Sequence, residues 1–346
     1  MKLNKHFIKV IGTAVIGAMA LTACGGGSDT STSSEPTEVE NNGEVITIKV
    51  GHIAPPTHSF TLGMEALTEA ITEETDGQVQ FEIFGGGQLG GERDMVEQVQ
   101  LGSLDMGVFT TAPASNFVND LAVLDMPMLF RDRDHIYNTL DGEVGQDILA
   151  SVNSQGFKAF SFWENGMRHL SNNKQEIRSV EDMKGLKMRS LENDMILETY
   201  RTLGADPTPI AWPEVYTSFQ QGVVDGHDNA IGVIESTNMY EVQDHLSLVG
   251  LQYAAAILMM NEDKFNSLPS DVQEVFVRLG AEFADVQRSM TADLEAEQLE
   301  LLAGHGMQII ETGDIDLDSF RTAVEPVYEK FSGQFGDLVE RINAVE

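Results

Sequence analysis

Read by the spacing of its apolar positions, most of the chain alternates strands with helices. Residues 45–51 (VITIKVG) carry Val45, Ile46, Ile48 and Val50 and predict a strand. Phe60, Met64, Leu67 and Ile71 then recur at helical spacing, and Gly77 closes that helix. Residues 78–84 (QVQFEIF) alternate as a strand, 92–101 place Met95, Val96 and Val99 on one helical face, and 104–109 read as a short strand. The pattern resumes with strands at 157–162 and 186–189, a helix start at Ser179-Val-Glu-Asp182, and a helix over 194–203 ended by Gly204. Pro213 suits the first turn of a helix that runs to Gln221 and stops at Gly222. This alternation predicts mainly parallel sheet and an α/β protein.

From Ser270 the signal changes to helix. Ser270-Asp-Val-Gln273 has the form of a capping box, followed by an apolar stripe at Val272, Val275, Phe276 and Leu279. A long acidic helix is predicted to about Leu302. Gly304 and Gly306 break it, 307–310 read as a strand, and two more helices end the chain. No internal repeat is visible.

The first residues follow a different logic. Lys2, Lys5 and Lys9 precede an apolar run over 11–21 that suits a signal peptide and is too short to span a membrane. The run ends in Leu21-Thr22-Ala23-Cys24, which resembles a bacterial lipoprotein cleavage motif. Residues 1–23 are expected to be a leader, Cys24 a lipidated anchor, and 24–44, rich in Gly, Ser, Thr and acids, a flexible tether. The implied localisation is extracytoplasmic, anchored to a bacterial membrane by that lipid.

Composition removes several function classes. The 346 residues hold 55 Asp plus Glu against 21 Lys plus Arg, a net of −34, so nucleic acid is not an expected partner. One cysteine allows neither an internal disulfide nor a multi-cysteine metal site. Gly85-Gly-Gly-Gln-Leu-Gly90 fits a dinucleotide fingerprint, but a tight strand-to-helix turn accounts for it better. Asp314, Asp316, Asp318 and Glu325 have calcium-loop spacing without the sharp-turn glycine, so a capped helix is the better reading. No H-x-x-x-H, G-x-S-x-G or phosphate loop occurs, and His52, His58, His169 and His227 read as structural or cleft histidines. No cofactor, metal or catalytic activity is expected.

Basic residues gather between Lys158 and Arg201. Arg189 closes its predicted strand at the end where open α/β sheets place ligands, and its guanidinium fork suits a carboxylate.

Four segments carry a resemblance. They are Gly87-QLGGERDMVEQVQLGSLDM-Gly107, Asn165-GMRHLSNN-Lys174, Gly185-LKMR-Ser190 and Leu203-GADPTPIAWPEVYTSFQQGVVDGHDN-Ala230. Together they resemble the solute-binding proteins of tripartite ATP-independent periplasmic (TRAP) transporters, DctP type. The resemblance implies a two-lobe periplasmic-binding-protein-like fold (type II), with a ligand cleft between lobes and a long lobe-spanning helix. Lobe I would take 45–165 plus about 255–294, and lobe II 166–254 plus about 295–346. It also implies capture of an organic acid, delivery to a TRAP permease driven by an ion gradient, and no catalysis.

By position, Arg189 matches the family arginine on the ligand carboxylate, Arg168 a second cleft arginine, and Asn229 a contacting amide. Trp212 stands at a cleft aromatic, Glu92 at an acid facing ligand hydroxyls, and Thr110 and Thr111 at polar contacts of the first lobe. Ala230 departs from the usual proline and His227-Asp228 from the usual Gln-Glu; Thr110 and the His52-Ile53 pair argue against a sialic-acid ligand. The set leans toward hydroxylated or sugar acids, with a dicarboxylate held by both arginines still open. Two other classes remain: an extracellular enzyme on a two-lobe scaffold, or a surface receptor lipoprotein.

Overall fold

A computed structural model describes residues 45–346. The leader, Cys24 and the tether to 44 lie outside the described residues.

The first half of the fold begins with β1 (Ile46–Gly51), α1 (Ser59–Glu74), β2 (Val79–Phe84), α2 (Glu92–Gln100) and β3 (Met106–Thr110). It continues through α3 (Thr111–Ala114), α4 (Arg133–Asp141) and α5 (Glu143–Asn153) into the long strand β4 (Phe157–Asn172). Then come β5 (Lys187–Ser190), α6 (Asp194–Thr202), β6 (Asp206–Pro209), α7 (Trp212–Gln220), β7 (Gly226–Ala230) and α8 (Ile231–Ser236). A second long strand, β8 (His245–Asn261), leads to α9 (Glu262–Ser267) and α10 (Ser270–Gly304). The chain closes with β9 (Gln308–Ile310), α11 (Leu317–Phe331) and α12 (Leu338–Ala344).

The nine strands among the described residues join one sheet in the order β2-β1-β3-β8-β4-β7-β5-β6, with β9 on β8. Two parallel blocks, β2-β1-β3 and β7-β5-β6, flank a pair of antiparallel strands, β4 and β8. The first part of β4 faces the part of β8 that pairs β3, and its last residues pair β7. The central strands therefore belong to both blocks. Register shifts at Ala159/Ser161, Glu164/Gly166 and Arg168/Leu170 bend the pair where it passes from one block to the other. Gly166, at φ +126°, sits in that bend, and a Cβ there would come within 2.9 Å of the Ala230 side chain.

The mainly parallel sheet expected from the alternation is thus corrected to a mixed one. Strand 157–162 extends ten residues further, and β8 gave no strand signal. Both central strands are buried on both faces, so period-2 alternation is missing. The polar run Glu164, Asn165, Arg168 and His169 also breaks the apolar pattern of β4, because these residues sit inside the molecule without being core.

Along β3 successive side chains enter different cores. Met106 and Val108 pack with α1 and α10, and Phe109 packs with α2, α4, α5 and α12. Around the second block, Met188, Tyr200 and Phe320 form one cluster and Val215, Ile234 and Leu302 another. The turn at 85–90 carries positive φ at Gly86, Gly87 and Gly90, as the turn reading requires. Asp316 caps α11 by accepting from Ser319 N–H at 3.2 Å. The capping box at Ser270 does not form: Pro269 is the N-cap, Ser270 is already helical, and the Gln273 amide donates instead to the Leu268 carbonyl at 2.9 Å.

The 35-residue α10 packs along α1 of the first block, along β4, and along α8 of the second. Gln287 pins it at the crossing. Its carbonyl accepts from Glu164 N–H at 2.7 Å and its amide donates to the Glu164 carbonyl at 2.8 Å. Gln287→Leu keeps the volume, strands the buried Glu164 N–H and leaves the Glu164 carbonyl only the Thr291 hydroxyl at 3.3 Å, so it is expected to cost about 2–3 kcal/mol in urea denaturation. An unchanged midpoint would mean that packing alone holds the helix there. No helix among the described residues is long and apolar enough to cross a membrane.

Candidate functional site

A cleft opens where the two blocks meet. Six of the seven side chains expected to bind ligand line it: Glu92, Thr110, Arg168, Arg189, Trp212 and Asn229. Five of them arrive at or next to an element end, where a strand or helix terminus fixes the backbone and leaves the side chain free to project, and Arg168 comes from within β4 beside its bend.

Arg189 is the penultimate residue of β5 and is 2% exposed. Its Nε donates to the Ile210 carbonyl at 2.9 Å, and its guanidinium lies 5.6 Å from the centre of the Trp212 ring. It has no acidic partner within ion-pair distance among the described residues. Burial, then the charge of Arg168, draw its pKa down to about 10. It stays charged at neutral pH, with most of its N–H groups unclaimed.

Arg168, on β4, is the opposite case. Its Nε donates to Asp228 Oδ2 at 2.6 Å, Nη1 to Asn229 Oδ1 at 3.1 Å, and Nη2 to the Asp228 carbonyl. Asp228 also accepts from the Tyr200 hydroxyl, and from Gln252 at 3.2 Å. Burial works to raise the Asp228 carboxyl, but Arg168 and Tyr200 outweigh it and hold it below its ordinary value. The pair is therefore ionised and internally neutral. Asn229 spends Oδ1 on Arg168 and on Ala230 N–H, so it offers the cleft its amide N–H groups.

Glu92 opens α2, consistent with a helix-start acid, and also faces the cleft. Thr110 donates to it twice, by N–H at 2.7 Å and by hydroxyl at 2.6 Å. Burial still pushes its carboxyl up, against those two bonds and the two arginines. Trp212 is half-buried at the start of α7, and its ring stacks near-parallel to His227 at 6.2 Å. Burial and Arg189 hold His227 down at about 3, so its ring is neutral and adds no charge beside the fork.

Thr111 does not line the cleft. Its hydroxyl donates to Asp125 Oδ1 at 2.9 Å and also lies 3.2 Å from the Ala255 carbonyl, which ties α3 to the interior. Thr110 ends β3 and Thr111 already opens α3, and that change of backbone direction turns it away. Three features of the cleft were not singled out as binding residues. Asn165 lies inside a motif segment already noted, His58 caps α1, and α8 supplies Val233, with Thr237 at its C-terminal cap. Only proximity in the fold brings α8 there.

At the rim, Asn116 donates to the Glu192 carbonyl at 2.9 Å and Asn193 to Ser115 Oγ at 3.0 Å. These bonds hold the first block against the second over a buried positive charge. Such a site suits a small anion, enclosed and oriented by few polar contacts.

Comparison with known proteins agrees. The profile of the bacterial extracellular solute-binding protein family 7, DctP, matches residues 50–334. A solute-binding protein of Verminephrobacter eiseniae is 37% identical over 286 residues, covering 82% of this chain and 85% of the relative. The solved TRAP periplasmic solute-binding protein of a Polaromonas species, bound to D-erythronate, aligns with a TM-score of 0.85 at 37% identity, over 87% of this chain and 99% of that one. Its counterpart from a Sulfitobacter strain, with bound β-D-galacturonate, gives 0.82 at 30% identity, over 86% and 99%. The two-lobe fold with its long helix is shared with these structures.

Proposed function

The chain belongs to the DctP family of TRAP periplasmic solute-binding proteins, and from that premise we propose that it captures a hydroxylated organic acid by one carboxylate on Arg189. The observation that carries this reading is the unpaired guanidinium fork in a closed cleft. A buried arginine without an acid is costly alone and is repaid when a carboxylate binds it through two parallel hydrogen bonds.

Asp228 narrows the class. It already neutralises Arg168, which leaves Arg189 as the one cleft arginine among the described residues without an acid in ion-pair contact. That favours one carboxylate plus hydroxyl or carbonyl groups over a dicarboxylate. Asn229 and the remaining Arg168 N–H groups donate to such oxygens, Glu92 and the Thr110 oxygen accept from hydroxyls, and Trp212 provides a flat wall. The relatives bound to D-erythronate and β-D-galacturonate are consistent with this chemistry. The cleft groups are arranged to hold rather than react, so we read the protein as a non-enzyme.

Calorimetry with D-erythronate, D-galacturonate and succinate tests the reading. At least one hydroxy monoacid should bind roughly 10-fold or more tighter than succinate, since the second carboxylate of succinate meets no free cation. Failure of all three acids to bind would overturn it.

Family membership places the protein's action outside the cytoplasm. We propose lobe boundaries at 165/166, about 254/255 and about 294/295, at a bend of β4, within β8 and in the last third of α10. The loaded protein would deliver its acid to TRAP permease subunits for uptake driven by an ion gradient. Cys24, in Leu21-Thr-Ala-Cys24, would carry the lipid that anchors it. Cys24→Ala should leave acid affinity unchanged and move the protein from the membrane pellet to the soluble fraction. Retention in the pellet after leader removal would argue against the lipid.

A further inference from the structure

A polar group in the cleft has no assigned role: the His58 ring. His58 ends the β1–α1 connection and caps α1. Its Nδ1 accepts from Phe60 N–H at 3.1 Å, and its ring meets the Phe60 ring edge-on at 4.9 Å. That bond decides the tautomer. A nitrogen that accepts from an N–H carries no proton, so in the neutral ring the proton sits on Nε2. Burial, with His52 adding to it, holds the pKa at about 4, so the ring is neutral at physiological pH. Nε2–H has no partner among the described residues. Unlike both ring nitrogens of His52 and His227, it is not sealed away. The residue is 3% exposed, and it lines the cleft.

Place matters as much as chemistry. Arg189, Arg168 and Asn229 come from β5, β4 and β7 in or beside the second parallel block, whereas His58 comes from the first. Glu92 and Thr110, the other polar groups of the first block at the cleft, bond to each other, and the Thr110 hydroxyl proton is spent. His58 therefore supplies a neutral donor from the first block, beside the Asn165 amide that β4 brings to the cleft.

Resting on the proposed acid-receptor function, we infer that His58 is a specificity-determining residue whose Nε2–H donates to a hydroxyl or carbonyl oxygen of the bound acid, across the cleft from the carboxylate on Arg189. Its geometry selects acids with an oxygen acceptor beyond the carboxylate. Closure of the first block onto the second then brings that donor to the acid.

Two substitutions separate the two ring nitrogens. His58→Asn keeps a strong N-cap acceptor near the Nδ1 position and does not reach the Nε2 position. The melting temperature of the ligand-free protein should hold, and affinity for D-erythronate or D-galacturonate should fall about 10-fold. His58→Gln keeps an amide donor at the longer reach and loses the cap. Melting should fall while affinity stays within about 3-fold. This crossed pattern supports the inference. Wild-type affinity in His58→Asn, or affinity that simply follows melting in both variants, would overturn it. If the wild-type protein binds neither acid, the receptor reading fails first and this inference with it.

Discussion

Arg189→Lys is expected to weaken binding of a hydroxy acid by about 2–4 kcal/mol while leaving the fold intact. Lysine keeps the positive charge but cannot present two parallel N–H groups, and it cannot lie flat over Trp212 while bonded to the Ile210 carbonyl. The loss should appear mainly as faster dissociation, because encounter depends on long-range charge, which the substitution preserves. Wild-type affinity by calorimetry in this variant would remove Arg189 from the carboxylate position.

A companion effect on stability has the opposite sign. Burial and Arg168 hold the Arg189 pKa near 10 in the folded protein, below its value in the unfolded chain. Between those two values the unfolded chain binds more protons, so stability rises with pH there, and at neutral pH the full cost of the buried charge is present. Arg189→Met should therefore stabilise the ligand-free protein by about 1–3 kcal/mol while abolishing acid binding. A melting temperature no higher than wild type would show that another group already compensates the charge.

The second large effect concerns Asp228. Asp228→Asn leaves Arg168 buried and charged without its partner, which should destabilise the protein by about 3–5 kcal/mol at pH 7. The folded carboxyl lies below its unfolded value, so its contribution is full above about pH 3.9 and drains as pH falls through the folded pKa. The wild-type protein should thus lose stability at acid pH more steeply than the variant. Recognition should change as well. With Arg168 freed, the cleft would hold two uncompensated cations, and affinity for succinate relative to D-erythronate should rise roughly 10-fold or more. A variant as stable as wild type from pH 5 to 8, with unchanged preference, would contradict the neutral-pair account.

Rim contacts connect these effects to motion. Asn116 and Asn193 make cross-cleft bonds that exist only when the blocks are together. A ligand that bridges Arg189 and the first block would favour the same arrangement, so capture and closure are one equilibrium read at two places.

The sequence by itself determined the elements whose signals are local. The strands β1, β2, β3 and β5 and the helices α1, α2, α6 and α7 were readable because one face of each is apolar and glycines end them, as at Gly77, Gly204 and Gly222. The motif segments around Glu92, Arg168, Arg189 and Asn229 were readable as a set, since their residue types and order recur in one family. Only the tertiary structure decided what those residues do with one another. Two arginines of equal formal charge have unlike roles because Asp228, 60 residues from Arg168, lands beside one and not the other. Thr110 and Thr111 part company because the strand ends at one and a helix begins at the other. His58 acquires a defined donor only because the Phe60 N–H claims its other nitrogen, and α8 reaches the cleft with no motif of its own. Hydrogen-bond partnership and burial are properties of position in space, and residues far apart along the chain set them.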